Sequence, residues 1–306
     1  MRVLVTGGAG FIGSHIVEQA LARGHDVCII DDLSSGKKEF VFPEAQFHEL
    51  NILADEAKRV INDFRPEVII HQAAQTVVQK SLADPVFDAE VNVVGTIHLL
   101  QAARACGCPR FVFASSAAVY GDNDQLPISE EQVGRPLSFY GSSKYASEHY
   151  IDVFSQLYGI STAILRYSNV YGVRQDPRGE GGVISIVIEQ AIKGDTFHVF
   201  GDGLQTRDYI NVRDVAAANI RMAESDVSGT FNVCTAQATS LLQIVDTVSR
   251  ISGKSLDVAF DAPRAGDILH SALSYELLHK QIGWKPTVAL AEGLKETYDY
   301  YAERAK

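Results

Sequence analysis

Short apolar runs alternate with amphipathic stretches through the first half of this chain, and few folds accept that alternation. The runs fall near Val3–Thr6, Val27–Asp31, Phe47–Leu50, Val68–His71, Phe111–Ser115 and Ala163–Tyr167. Strands that are apolar along their whole length are buried on both faces, so the pattern predicts an α/β fold with a doubly wound parallel sheet. Helices are expected over Phe11–Arg23, which stops at Gly24, and over Pro85–Cys106, where Val91, Val94, Ile97, His98 and Gln101 fall near one stripe. A third runs from Tyr140 to Tyr158, stops at Gly159, and is expected to bury Ala146, Tyr150, Val153, Phe154 and Leu157. Long helices sharing one sheet face can also pair with a second copy, so a homodimer is expected.

Beyond Ser168 the rhythm changes to glycine-rich loops, a helix near Val183–Lys193, strand pieces at Phe197–Phe200 and Thr206–Ile210, and a helix over Val212–Ala223. Phe231–Cys234 is expected to return to the sheet, followed by a helix near Leu241–Ile251. The division expected is a dinucleotide-binding domain over 1–167 that resumes near 211–252, with a discontinuous substrate-binding region formed by 168–210 and 253–306.

Gly7, Gly10 and Gly13 follow the first strand and open the first helix, spaced Gly-x-x-Gly-x-x-Gly. Without side chains there, backbone amides can approach a pyrophosphate, as they do in a Rossmann-type dinucleotide fold. Asp31 closes the second strand. Its carboxylate can accept hydrogen bonds from an adenosine ribose and would repel a 2′-phosphate, which favours NAD over NADP. Lys37 and Lys38, past the Ser34-Ser35-Gly36 turn, are read as solvated surface.

Tyr140 and Lys144 lie four residues apart at the start of the third helix, so they share a face. A tyrosine titrates near pKa ~10, and bringing it to about 7 takes roughly 4 kcal/mol of preferential stabilisation of the phenolate. The Lys144 ammonium can supply much of that, and a nicotinamide cation would add a second positive charge. Ser116, at the end of the preceding strand, is the hydrogen-bonding partner. A dinucleotide turn and an activated phenol in one domain point to hydride chemistry.

With 38 Asp and Glu against 27 Lys and Arg, the formal charge is −11, which argues against a nucleic-acid surface or an anionic membrane as partner. No stretch approaches ~20 apolar residues. The first strand begins so near Met1 that no room is left for a signal peptide, so the cytoplasm is the expected location. Cys28, Cys106, Cys108 and Cys234 are too scattered for a disulfide framework. Cys106-Gly-Cys108 is read as a buried helix end, and no metal is expected.

Seven segments together resemble the extended short-chain dehydrogenase/reductases, and among them the NAD-dependent epimerases and dehydratases of nucleotide sugars, most closely the bacterial UDP-glucose 4-epimerases. They are Val5–Gly13, Asp31–Lys37, His71–Gln75, Asn92–Thr96, Phe113–Gly121, Tyr140–Lys144 and Arg166–Gly172. The likeness spans essentially the whole chain. It implies that Phe11 and Ile12 contact the pyrophosphate, that Asp31, Asp32, Leu33, Ser34, Ser35 and Gly36 surround the adenosine ribose, and that Asn51 and Ile52 meet adenine. Asn51 departs from the usual aspartate, yet its amide oxygen can still accept from the adenine amino group. Gln72, Ala73, Ala74, Gln75 and Thr76, with Asn92, Ser115 and Tyr167, are assigned to the cofactor site by the same resemblance. His71 is read as structural, and Ser168 stands where the family often has an aromatic residue.

The resemblance further implies that Tyr140 takes the proton of the sugar 4-hydroxyl while the C4 hydride moves to NAD, with Ser116 hydrogen-bonded between them and Lys144 also holding the nicotinamide ribose. The 4-keto sugar then turns over in the site and is reduced from its other face. It implies a UDP-sugar substrate held by Arg207 and Arg264 on the diphosphate, with Asn169 donating to a phosphate. Val199 and Phe200 would border the uracil, Asp267 the uridine ribose, and Val183 the substrate. Ser271, where family members restricted to plain hexoses often carry an aromatic, would leave room for a 2-acetamido group. A 4,6-dehydratase is the strongest rival, but it usually carries Asp-Glu where this chain has Ala117 and Ala118, and methyl groups cannot act as acid or base. A uronate epimerase or decarboxylase remains open, as does a non-catalytic NAD-responsive binding protein, which has no need of Ser116, Tyr140 and Lys144 together.

Overall fold

The computed structural model describes residues 1–177, 182–263 and 268–305. Its first half runs β1 (Arg2–Thr6), α1 (Phe11–Ala22), β2 (Asp26–Asp31), β3 (Gln46–Glu49), α2 (Asp55–Phe64), β4 (Val68–His71), α3 (Val78–Ala83), α4 (Pro85–Ala89), α5 (Gly95–Cys106), β5 (Arg110–Ser116), α6 (Phe139–Tyr158) and β6 (Ser161–Tyr167). The second half adds β7 (Asn169–Tyr171), α7 (Val183–Lys193), β8 (Phe197–Phe200), β9 (Thr206–Asn211), α8 (Val212–Ala223), β10 (Gly229–Val233), β11 (Ala238–Ser240), α9 (Leu241–Ser252), β12 (Val258–Asp261), α10 (Glu276–Ile282) and α11 (Leu290–Arg304).

Seven strands make one parallel sheet in the order β3-β2-β1-β4-β5-β6-β10. The chain runs outward from β1 to β3, then crosses to β4 and proceeds the other way. The carboxyl ends of β1 and β4 therefore flank the crevice where doubly wound sheets hold ligands. Successive side chains point to opposite faces. Val3, Val5, Val27, Ile29, Val68, Ile70 and Val112 pack on one side with α1 and α8, whereas Leu4, Cys28, Ile30, Ile69, Phe111 and Phe113 pack on the other with α2 and α5. A separate core joins α7, α9 and α11 through Ile184, Val187, Ile188, Ile244, Val248 and Leu294.

Two helices differ from the expected pattern. In α6, Tyr150, Val153 and Leu157 are 46%, 50% and 67% exposed, while Ser143, Ser147 and Glu148 are buried. The inward polar stripe is stable because its groups are paired: Ser147 Oγ donates to the Asn92 carbonyl, and Glu148 meets Arg166. The stretch from Pro85 to Cys106 is broken by a π turn over Glu90–Val94. That wider turn rotates the following helix, so Asn92, Thr96, Leu99 and Ala103 face inward and Val94 and Gln101 face out. Cys106 does close its helix, at Gly107 in the left-handed conformation.

Candidate active site

The first turn of the site is built by absent side chains. Gly7 has φ +69°, and a Cβ on it would lie 2.7 Å from the Ala73 amide nitrogen; a Cβ on Gly13 would collide with the Gly7 carbonyl. Gly10 precedes α1 and provides no side-chain cap. Gly7, Gly10, Phe11, Ile12 and Gly13 thus line a cleft that opens onto an uncapped helix N-terminus, a cradle that fits a pyrophosphate.

Asp31 anchors the neighbouring loop. Its buried carboxylate accepts from the Ala9 amide at 2.9 Å and the Leu33 amide at 2.8 Å. Burial pushes this carboxyl above its usual range, against the pull of those two amides. Leu33 takes a positive φ to allow the bond, and Gly36 comes so close that a Cβ would sit 2.8 Å from Asp31 Oδ1. Asp32, Ser34, Ser35, Asn51 and Ile52 line the same end of the cleft. Asn51 donates to Asp32 at 2.8 Å and accepts from the Leu53 amide at 2.9 Å, which leaves its oxygen one further lone pair. The Lys37 side chain is solvated and pairs with Asp176 at 3.4 Å, while its backbone amide donates to the Ala9 carbonyl.

Ser116, Tyr140 and Lys144 line this cleft together with the glycine turn. Ser138 starts α6 by accepting from the Gly141 amide at 3.1 Å. Gly141 permits close approach to the turn after Ser116, since a Cβ would lie 2.6 Å from the Ala118 carbonyl. That contact brings the helix start, and Tyr140 with it, to the end of β5. Ser116 Oγ accepts from the Ala118 amide at 3.1 Å. Lys144 is buried, its Nζ 2.8 Å from the Ala114 carbonyl and 4.7 Å from the Phe113 ring centre. His71 is held between the Thr6 and Thr96 hydroxyls, and burial, with the Lys144 charge, keeps it neutral. It is structural.

Gln72, Ala73, Ala74, Ser115 and Tyr167 complete the wall. Tyr167 donates to Asn219 at 2.9 Å and receives the Gln72 amide at 3.0 Å; burial raises its phenol well above the ordinary value. Gln75 and Asn92 lie behind the wall. The Gln75 amide donates to Asn92 Oδ1 at 2.9 Å, and Asn92 Nδ2 reaches Ser143 on α6 at 3.0 Å, so this pair buttresses the helix that carries Tyr140.

On the substrate side, Asn169 and Val183 line the cleft. Phe200, Arg207 and Ser271 sit on neighbouring segments: Arg207 Nη1 donates to the Thr206 carbonyl at 2.9 Å, and the Ser271 amide donates to the same carbonyl at 3.1 Å. Asp208 fixes that corner by accepting from Thr235, Ala236, Leu273 and Ser168, although burial pushes its carboxyl upward. Val199 is fully buried in the third core and presents no side chain to the cleft. Arg264 and Asp267 lie outside the described residues. Tyr171, Gln175, Gly182, Ile184 and Tyr209 also line the cleft and were not anticipated. Tyr171, Gln175 and Gly182 sit in short or irregular segments, and Ile184 and Tyr209 sit in elements expected from the sequence whose approach to the cleft is set by tertiary packing.

Residues 3–234 match the NAD dependent epimerase/dehydratase family. A UDP-glucose 4-epimerase of Mycolicibacterium smegmatis is 40% identical over 313 residues, covering 100% of both chains. A crystal structure of UDP-glucose 4-epimerase from Thermotoga maritima with UDP-glucose is 39% identical, has a TM-score of 0.97 and covers 100% of each chain. One from Thermus thermophilus in complex with NAD is 43% identical, has a TM-score of 0.93, and covers 98% of this chain and 99% of its own. With the family match spanning most of the chain and the relatives spanning nearly all of it, this protein belongs to the NAD dependent epimerase/dehydratase family.

Proposed function

We propose that this protein interconverts UDP-glucose and UDP-galactose by transient oxidation at sugar C4. The observation that carries the reading is the meeting of Ser116, Tyr140 and Lys144 with the Gly7–Gly13 turn in one cleft. NAD supplies a reversible hydride acceptor there. Tyr140 takes the proton of the 4-hydroxyl as the C4 hydride leaves, and returns it to the 4-oxygen as the hydride comes back to the other face of C4, so the reaction leaves no net redox change. Ser116 hydrogen-bonds to the same oxygen, and Lys144 sustains the phenolate. Asp31 to Gly36 hold the adenosine ribose, and Gln72, Ala73, Ala74 and Thr76 face the nicotinamide, with Gln75 behind them. Asn169, Arg207, Arg264 and Asp267 hold the uridine diphosphate, with Phe200 beside the uracil. Ser271 admits a 2-acetamido group, so UDP-GlcNAc and UDP-GalNAc are substrates as well.

Ala117 and Ala118 carry no acid or base and count against a dehydratase. The test is product analysis on a panel of UDP-sugars with the enzyme as purified. Epimers formed without net NADH are expected; stoichiometric NADH with an oxidised product would replace this reading by a dehydrogenase.

The same proposal includes the segment division 1–167 and 211–252 for NAD, with 168–210 and 253–306 mainly for the UDP-sugar. It includes a homodimer, supported by the outward apolar residues of α6, by Val94 just before α5, 49% exposed, and by Val86 and Phe87 of α4, 67% and 42% exposed. Among the described residues no helix is long and apolar enough to cross a membrane, and all four thiols are unpaired, which fits a reducing cytoplasm.

A further inference from the structure

We propose that Glu148 is a positioning residue for Ser116, Tyr140 and Lys144, acting through Ser115 and Arg166 to fix the register of α6 on the end of β5; this rests on the reading that these three carry the hydride chemistry. Tyr140, Lys144 and Glu148 follow one another at four-residue spacing and so occupy one face of α6. That face grips β5 at consecutive residues: Lys144 Nζ meets the Ala114 carbonyl at 2.8 Å, and Ser115 Oγ donates to Glu148 Oε1 at 2.5 Å. Ser116 is the next residue along the strand.

Glu148 is itself held from behind. Ser115 and Arg166 are partners in the β5–β6 register, and Arg166 donates through Nε to Oε1 at 3.0 Å and through Nη2 to Oε2 at 2.5 Å. The guanidinium stacks 4.8 Å from the Tyr120 ring centre, and Tyr120 donates to Asn232 on β10 at 2.7 Å. Glu148, Arg166 and Ser115 are 3%, 6% and 2% exposed.

Stability is a weak reason for such an arrangement. Desolvating two charges offsets much of their attraction, and apolar replacements of buried pairs are often neutral or stabilising, whereas register is the best-attested use of a buried polar pair. Here the register in question is that of a reacting constellation, where a misplacement of about 1 Å costs about a hundredfold in rate.

The experiment compares Ser115→Ala, Glu148→Gln and the double variant as NAD-loaded enzyme acting on UDP-galactose. Ser115→Ala leaves the ion pair intact, and Glu148→Gln keeps an acceptor for Ser115. Each single change is expected to lower kcat at least about tenfold, with KM and bound NAD within about twofold. The double variant should be little worse than the poorer single, because the two changes interrupt one Ser115–Glu148–Arg166 chain at different points. A kcat per bound NAD near that of the parent in either folded single variant, whatever its melting temperature, overturns the inference, and so do fully multiplicative losses. If Glu148→Gln does not fold, Ser115→Ala decides by the same kcat and KM criterion. Retained turnover in Tyr140→Phe would instead remove the functional reading on which this one rests.

Discussion

Lys144 Nζ donates to the carbonyl oxygen of Ala114 at 2.8 Å, a bond between the second turn of α6 and the strand residue two before Ser116. A buried ammonium held this way cannot swing into solvent, so its charge stays at a fixed place beside the end of β5. Electrostatic help of this kind needs no reorganisation during the reaction.

Tyr140→Phe should therefore retain bound NAD and lose turnover by about 10²–10⁴-fold, the usual cost of removing a positioned acid/base group. Steady-state epimerisation together with the NAD released on denaturation checks this. Near-parental turnover would take the proton-transfer role away from Tyr140.

Stability should fall as pH drops from about 6.5 toward 4. His15 is 5% exposed and held neutral; burial, then the Arg174 charge, lowers its pKa from 6.5 to about 4. In the unfolded chain it takes a proton near 6.5, so folding loses stability across that window, on the order of 3 kcal/mol in full, and none from this group above it. His71, buried and shifted the same way, adds to the slope. Urea midpoints measured against pH should show a flatter decline for His15→Gln, which keeps a donor for the Val173 carbonyl now met by Nε2 at 3.1 Å. An unchanged slope would mean that His15 is not neutral in the fold.

Charging the outer face of α6 should split the proposed dimer without touching the cleft. Val153 and Leu157 are 50% and 67% exposed and lie on the side of the helix opposite Glu148 and Ile151. Val153→Glu with Leu157→Glu is expected to halve the mass seen by sedimentation equilibrium. A monomeric parent, or an unchanged dimer in the variant, would show that this face is not the interface.

The strands were legible because a sheet buried on both faces demands continuous apolar runs: the run at Val68–His71 coincides with β4, and that at Val27–Asp31 with all but the first residue of β2. The glycine turn was legible for a steric reason, since only glycine fits at Gly7 and Gly13. The inward faces of α5 and α6 were not. Hydrophobic periodicity assumes that polar groups prefer water, and it fails where they find partners inside, as Ser147 does with Asn92 and Glu148 with Arg166. The spacing of Tyr140, Lys144 and Glu148 was nevertheless in the sequence, and three chemistry-bearing residues on successive turns were the available signal. Gln175 and Tyr209 gave none, because only the tertiary arrangement brings β9 and the segment after β7 to the cleft.

Sugar selectivity should turn on Ser271. Its amide donates to the Thr206 carbonyl at 3.1 Å, and Arg207 Nη1 donates to the same oxygen at 2.9 Å, so a small half-buried side chain stands next to a cation proposed to hold the diphosphate. In the proposed substrate pocket, a serine at this position would leave space that a phenol ring would fill. UDP-GlcNAc and UDP-GalNAc are accordingly expected to interconvert alongside the plain hexoses. Ser271→Tyr should abolish only the acetamido reaction, because a steric clash penalises the larger sugar without removing a contact to the smaller. The measurement is kcat/KM for both sugar pairs in parent and variant, with a selective loss of at least about a hundredfold expected, since a forced clash of about 3 kcal/mol corresponds to that ratio. Parallel loss of both activities, or a parent that leaves UDP-GlcNAc untouched, would show that the gate lies elsewhere.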